Sequence, residues 1–236
     1  MSEAGSRQIV LALDAAGFGC SVAVALGETI LAEKRSDAMH GQAESLLPLV
    51  AACVHEAGQS PASIDLIAAT VGPGSFTGIR IGLAAARGVA LATGAKVIGI
   101  TSFETVAAEF ASGSRANGRA LLVALESRCE DLYVQFFNAS GDSLSHPAAA
   151  APASLVEAAQ AATAGMPLLI AGDAAQRAAA ALGRYPHTIL GSPARGAAGA
   201  LRAGVRLLRA GKTLGPARPF YLRPPAAALP GGTPNP

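Results

Sequence analysis

The chain has 236 residues, of which 51% are apolar and only 14% charged, with no tryptophan and a formal net charge of +2. That length accommodates one large core or two lobes of roughly 100 residues each. Alanine supplies much of the apolar share, and the longest candidate span, 83–92, is interrupted by Arg87 and too short to cross a bilayer, which argues against a membrane protein. Residues 1–8 lack a basic segment followed by an apolar one, so no secretory signal is read there and a cytoplasmic protein is expected. Cys20, Cys53 and Cys129 lie far apart without a C-x-x-C pair, a pattern that suits reduced thiols rather than a disulfide framework or a zinc site.

Residues 8–14, 20–26 and 29–35 read as three β-rich segments joined by turns at Gly17/Gly19 and at Gly27-Glu28. A helix is expected over about 40–57. Its apolar positions Ala43, Leu47, Val50, Val54 and Ala57 form one stripe, and Leu46, Leu49 and Cys53 a second beside it. Two apolar stripes are more than one core contact requires. Pro48 removes an internal hydrogen bond and is expected to bend this helix.

Residues 64–71 read as a buried strand that runs into Gly72-Pro73-Gly74-Ser75-Phe76-Thr77-Gly78 and then a helix over about 75–93. A strand feeding a helix through glycines is how backbone N–H groups are presented to an anion. The loop lacks the lysine of a P-loop, and Thr77 stands where a dinucleotide fingerprint has its third glycine. Gly72, Pro73, Gly74, Ser75, Thr77 and Gly78 therefore make a degenerate phosphate-type loop. The helix beyond it carries Gly78, Gly82, Ala86 and Ala90 at spacing four, a row nearly without bulk. Glycine inside a helix costs about 1 kcal/mol relative to alanine, so close packing must offset it, either on the chain's own sheet or against a partner.

After a short strand at 96–100, a second unit begins. Residues 120–126 and 132–137 repeat the strand–acid–turn–strand form of the N-terminus, with Val123-Ala124-Leu125-Glu126 mirroring Leu11-Ala12-Leu13-Asp14. Leu168 to Asp173 lead into an alanine-rich helix, echoing the strand–glycine–helix step at Val71. Two related halves imply a duplicated α/β fold with a cleft between lobes. The Pro/Gly-rich stretch 224–236 is expected to be a disordered tail. All 16 acidic residues lie at or before Asp173, and nine of the 18 basic ones follow it. A positive end suggests an RNA or acidic-protein contact. Without interleaved aromatics for base stacking, an arginine face set against the protein's own acidic half is favoured.

Asp14 followed by the returning run Cys20-Ser21-Val22-Ala23-Val24, then His40, Leu46-Leu47-Pro48-Leu49-Val50, the glycine run from Gly72 to Gly82 and the late Phe220-Tyr221-Leu222-Arg223 together resemble the TsaB (YeaZ-like) family over about residues 9–223. These are non-catalytic subunits of the bacterial tRNA threonylcarbamoyladenosine machinery. The resemblance implies a duplicated actin/Hsp70/sugar-kinase-like fold, with an N-terminal lobe at 1–103 and a C-terminal lobe at 104–223. It implies a heterodimer with the catalytic subunit TsaD through N-lobe helices, TsaE joining the larger assembly, and indirect contact with ANN-decoding tRNA. Whether the free chain forms a homodimer stays open. Leu46, Leu47, Val50, Cys53, Val54, Gly78, Gly82 and Ala86 become the expected partner interface. No catalytic residue, metal or cofactor is assigned, because Ser102 and Val106 stand where the catalytic relative has its metal-binding histidines. The chain departs from the family in Ala15-Ala16 after Asp14, where Asp-Thr is common, and mildly in Glu126-Ser127-Arg128, where Asp-Ala-Arg is usual.

Two other readings compete. A stand-alone nucleotide-binding ATPase or kinase would draw its carboxylates from Asp14, Glu126 and Asp173, although a buried strand-end acid more often accepts backbone N–H bonds. A peptidase is discarded, since Ser75 has no neighbouring histidine and no G-x-S-x-G frame.

Overall fold

The computed structural model of the chain describes residues 8–38, 41–110, 118–190 and 196–223. The tail at 224–236, His40 and Arg195 lie outside the described residues. Strands β1 (Ile9–Asp14), β2 (Cys20–Leu26), β3 (Thr29–Ser36), β4 (Ile64–Gly72) and β5 (Lys96–Thr101) form one sheet in the order β3-β2-β1-β4-β5. Strands β6 (Ala120–Glu126), β7 (Leu132–Phe137), β8 (Ala148–Ala150), β9 (Leu168–Ala171) and β10 (His187–Ile189) form a second, in the order β10-β9-β6-β7-β8. Each sheet thus runs third–second–first–fourth–fifth, antiparallel on one side of its first strand and parallel on the other. This is the duplicated α/β fold that the two related halves of the sequence imply.

The first strand of each sheet is apolar throughout because both of its faces are covered. Every residue of β1 is buried, as are the first six of β6. Ile9, Leu11 and Leu13 point to a core built by α1 (Gln42–Glu56) and α2 (Phe76–Thr93). The alternate residues Val10 and Ala12 face α6 (Ala197–Arg209). In the second sheet Ala120, Leu122 and Ala124 lie beneath α4 (Leu155–Thr163) and α5 (Ala175–Leu182). Leu121, Val123 and Leu125 meet Phe103, Val106 and Ala107 of α3 (Ser102–Phe110).

The last helix of each half is exchanged. Helix α3 follows the first sheet but packs its apolar side on the second, while α6 follows the second and covers the first. The two helices also cross at Gly199, where an added Cβ would sit 2.5 Å from the Thr105 carbonyl oxygen. Residues 215–223 then run along the end of the first sheet. The Gly99 amide donates to the Gly215 carbonyl at 2.9 Å, the Phe220 amide to Val71 at 2.8 Å, and Arg87 to the Ala217 carbonyl at 2.7 Å. Tyr221 meets the Phe76 ring at 5.2 Å, and Arg223 pairs with Asp131 of the second half. The late Phe220-Tyr221-Leu222-Arg223 run is thereby a brace between the halves.

Candidate functional site

The glycine loop joins β4 to α2. Gly72 adopts φ +113°, a region closed to side chains, and a Cβ there would lie 2.6 Å from the Phe220 carbonyl oxygen and 2.8 Å from Cδ1 of Ile79. Gly74 and Gly78 have a different reason: an added Cβ would run into the carbonyl oxygens of Ala16 and Ala15 respectively. The loop therefore closes onto the Asp14-Ala15-Ala16 turn. Its hydrogen bonds are directed the same way. The Ser75 amide donates to the Ala16 carbonyl at 2.7 Å, and Ser75 Oγ caps α2 by accepting from the Gly78 amide at 3.1 Å. The amides of Ser75 and Gly78, two of those that a phosphate cradle would offer, are thus engaged within the chain. Thr77 borders a groove that opens between the loop and the start of α1.

The three strand-end acids are also engaged. Asp14 Oδ1 accepts from the Ala16 amide at 2.8 Å, and Asp173 Oδ1 from the Glu126 amide at 2.9 Å. Glu126 pairs with Arg177 at 2.5 Å. Glu126, Arg128 and Asp173 face Ala16, Phe18 and Ser75 across a small interlobe cavity of about 230 Å³. Ser102 and Val106 are buried in α3, Val106 among the apolar residues of the second sheet. Neither supplies a nitrogen ligand, and no group of three His, Cys, Asp or Glu able to hold a metal occurs among the described residues. Burial pushes the Cys53 thiol up to about 11 and raises that of Cys20, keeping both protonated at neutral pH.

The residues expected to meet a partner fall into two sets. Leu46, Val50, Cys53 and Val54 of α1 are buried over the first sheet, with Cys53 Sγ 3.6 Å from the Val22 carbonyl. On α2, Gly78 and Gly82 lie over Ala15, and Ala86 is fully buried in the same core. The expectation that this small-residue row faces a partner gives way: the row lets α2 approach its own β1–β2 turn. Leu47 is different, being 52% exposed. It stands beside Ile81, Ala84, Ala85, Gly88 and Ala92 along an open apolar groove of about 620 Å³ between the outer sides of α1 and α2. Leu91 on α2 is 90% exposed. The α2 positions of this groove repeat at spacings of three and four, a signal present in the sequence but masked by the neighbouring glycine row.

The basic end is largely paired with carboxylates from earlier in the chain. Arg202 binds both Glu109 oxygens at 2.6 and 2.7 Å, Arg206 and Lys212 both reach Asp142 Oδ1, and Arg209 pairs with Glu28. Lys212, and then Asn138 and Arg206, hold the Asp142 carboxyl below its ordinary range. The charge asymmetry of the sequence is therefore folded back onto the protein's own acidic residues. No helix among the described residues is long and apolar enough to cross a membrane.

Comparison with known proteins adds to this geometry. The profile of a family described as "TsaD: tRNA N6-adenosine threonylcarbamoyltransferase" matches residues 35–188. The tRNA threonylcarbamoyladenosine biosynthesis protein TsaB of Escherichia coli is 35% identical over 126 residues, covering 52% of each chain. A tRNA N6-adenosine threonylcarbamoyltransferase of Erythrobacter litoralis is 35% identical over 100 residues, covering 42% of this chain and 29% of that protein. The matched stretches thus span about half or less of these relatives' own length. The crystal structure of a Pseudomonas aeruginosa protein similar to peptidase YeaZ superposes with a TM-score of 0.75 at 23% identity, covering 92% of this chain and 100% of that one. That likeness concerns the fold.

Proposed function

Because the chain belongs to the tRNA N6-adenosine threonylcarbamoyltransferase family as a TsaB/YeaZ-like member, we propose that it is a non-catalytic scaffold that activates a TsaD-type relative in threonylcarbamoyladenosine modification of ANN-decoding tRNAs in the cytoplasm. The observation that carries this reading is the open apolar groove on the outer sides of α1 and α2, with Leu47, Ile81 and Gly88 along it. An open apolar helical face is the kind of surface that a stable heterodimer buries. The partner's helices pack there, TsaE joins the pair, and tRNA is met through the assembly. When the partner is absent, the same face serves self-association.

The engaged Ser75 and Gly78 amides and the buried Ser102 and Val106 support the non-catalytic half of the proposal. Kinase chemistry needs phosphate-facing donors and a cation-binding set. Here the Ser75 amide turns inward onto Ala16 and the Gly78 amide onto Ser75 Oγ. Reconstitution tests the proposal: tRNA modification by the TsaD partner is expected to require this chain, while the chain alone turns over negligible ATP. Robust magnesium-dependent hydrolysis by the isolated chain would favour the stand-alone ATPase or kinase instead.

A further inference from the structure

Helix α2 carries two arginines that the fold orders without giving them a carboxylate. Arg80 and Arg87 are both exposed. The guanidinium carbon of Arg80 lies 3.7 Å over the centre of the Phe76 ring, which itself packs on Tyr221. Arg87 donates through Nη2 to the Ala217 carbonyl at 2.7 Å. Neither enters an ion pair among the described residues, whereas Arg177, Arg202, Arg206, Arg209, Lys212 and Arg223 all do. A guanidinium held over a ring keeps its N–H groups for another acceptor, and their fork matches a carboxylate or a phosphate.

Their place on the helix narrows the choice. Arg80, Ala84, Arg87 and Leu91 are spaced by four, three and four, so they share one stripe of α2. Ala84 also lines the apolar groove, and through it the stripe borders that groove. The two cations stand about 10 Å apart along the helix axis, interleaved with apolar positions. Charges alternating with apolar residues beside an apolar groove make the rim of a protein interface. A phosphate track would instead gather further cations along its course. Across the groove α1 has the opposite sign: Glu44 is exposed and enters no ion pair among the described residues, while Glu56 is taken by Lys34.

We propose that Arg80 and Arg87 select and orient the protein partner by pairing with carboxylates on the helix that enters the groove. That helix carries acidic residues about two turns apart on the side facing α2, and a basic residue toward Glu44. The inference rests on the reading of the groove as the seat of the TsaD-type partner, and adds which chemistry that partner's helix presents. Rim charges of this kind act chiefly on the association rate and are screened by salt.

The test measures association and dissociation of the full chain with the purified TsaD-type partner at ~50 and ~500 mM salt. Arg80→Glu and Arg87→Glu are each expected to weaken binding by about tenfold or more at the lower salt, mainly in the association rate, and by about threefold or less at the higher. Arg184→Glu makes the same charge change on an exposed arginine of the second half, and is expected to stay within about twofold of wild type. Circular dichroism checks the fold of each variant, and Arg87→Glu keeps the test decisive if loss of the Phe76 contact disturbs Arg80→Glu. Wild-type affinity in both α2 variants, or an equal loss in Arg184→Glu, would overturn the proposal. So would wild-type partner binding combined with lost tRNA modification, because the arginines would then serve phosphates. Gly88→Leu in the same assay keeps the two readings apart. A loss there with none at Arg80 and Arg87 leaves the groove standing and removes the charged rim, whereas wild-type binding by all three variants removes both.

Discussion

Helices α1 and α2 cover one face of the first sheet as α4 and α5 cover one face of the second, yet the two pairs end with different outer surfaces. The first pair has 15 and 18 residues and exposes Leu91 as well as Leu47, which lines an apolar groove. The second pair has 9 and 8 residues and exposes no large apolar side chain. The backbone turns beneath them are closely alike. Gly72 at the end of β4 has φ +113°, and Gly172 after β9 has φ +111°. Beyond that shared turn the first half closes its loop over Ala15 and Ala16, whereas the second surrounds its turn with Glu126, Asp173 and Arg177. Duplication has fixed the backbone geometry while the side chains diverged, leaving the first half with a surface suited to a helical partner.

The comparison is tested most severely at the glycines. Gly78→Ala sets a Cβ against the Ala15 carbonyl and is expected to cost about 3 kcal/mol or more. Gly88 has open space around its Cβ position, so Gly88→Ala is expected to stabilise the chain by about 0.5–1 kcal/mol. Urea denaturation of the two variants reads both values; similar effects would mean that the inner and outer sides of α2 are misassigned. Next in size, Leu83→Ala empties a fully packed site under α2 and should cost about 2–5 kcal/mol in the same assay. Ser75→Ala removes the cap of α2 and should cost about 1 kcal/mol.

The smallest effect concerns acid stability. The Asp142 carboxyl is held below its usual range in the fold, chiefly by Lys212. The folded state therefore binds this proton less readily than the unfolded chain, and the pair contributes stability at pH above the ordinary carboxylate range of about 4. That contribution is lost as pH falls below about 4 through the lowered folded-state value. Asp142→Asn should remove this share of the acid-side decline and leave the neutral-to-alkaline profile nearly parallel to wild type. An unchanged acid limb in a pH series of thermal unfolding would contradict the assignment.

Much of the frame was legible in the residues. The apolar runs behind β1, β2, β4, β6 and β7, and the acids that end β1 and β6, gave both the strands and the repeat. The exchange of α3 and α6 was not legible, because periodicity reveals an apolar face but not which sheet will cover it. Strands β8 and β10 are three residues each and carry too little pattern to be seen. At the partner face, Leu46 and Leu47 are adjacent and equally apolar, so sequence alone could not say which turns inward. The glycine row misled for a physical reason: close approach to a backbone turn and close approach to another helix make the same demand for small side chains.

The central claim is that the outer α1/α2 groove receives the TsaD-type partner. Its most direct test is a binding titration of the full chain against that partner, comparing wild type with Gly88→Leu. The bulky side chain fills the groove from a position with open space around it. The account predicts a loss of affinity of about tenfold or more with an unaltered circular dichroism spectrum and no loss of stability. Wild-type affinity in the well-folded variant would contradict it.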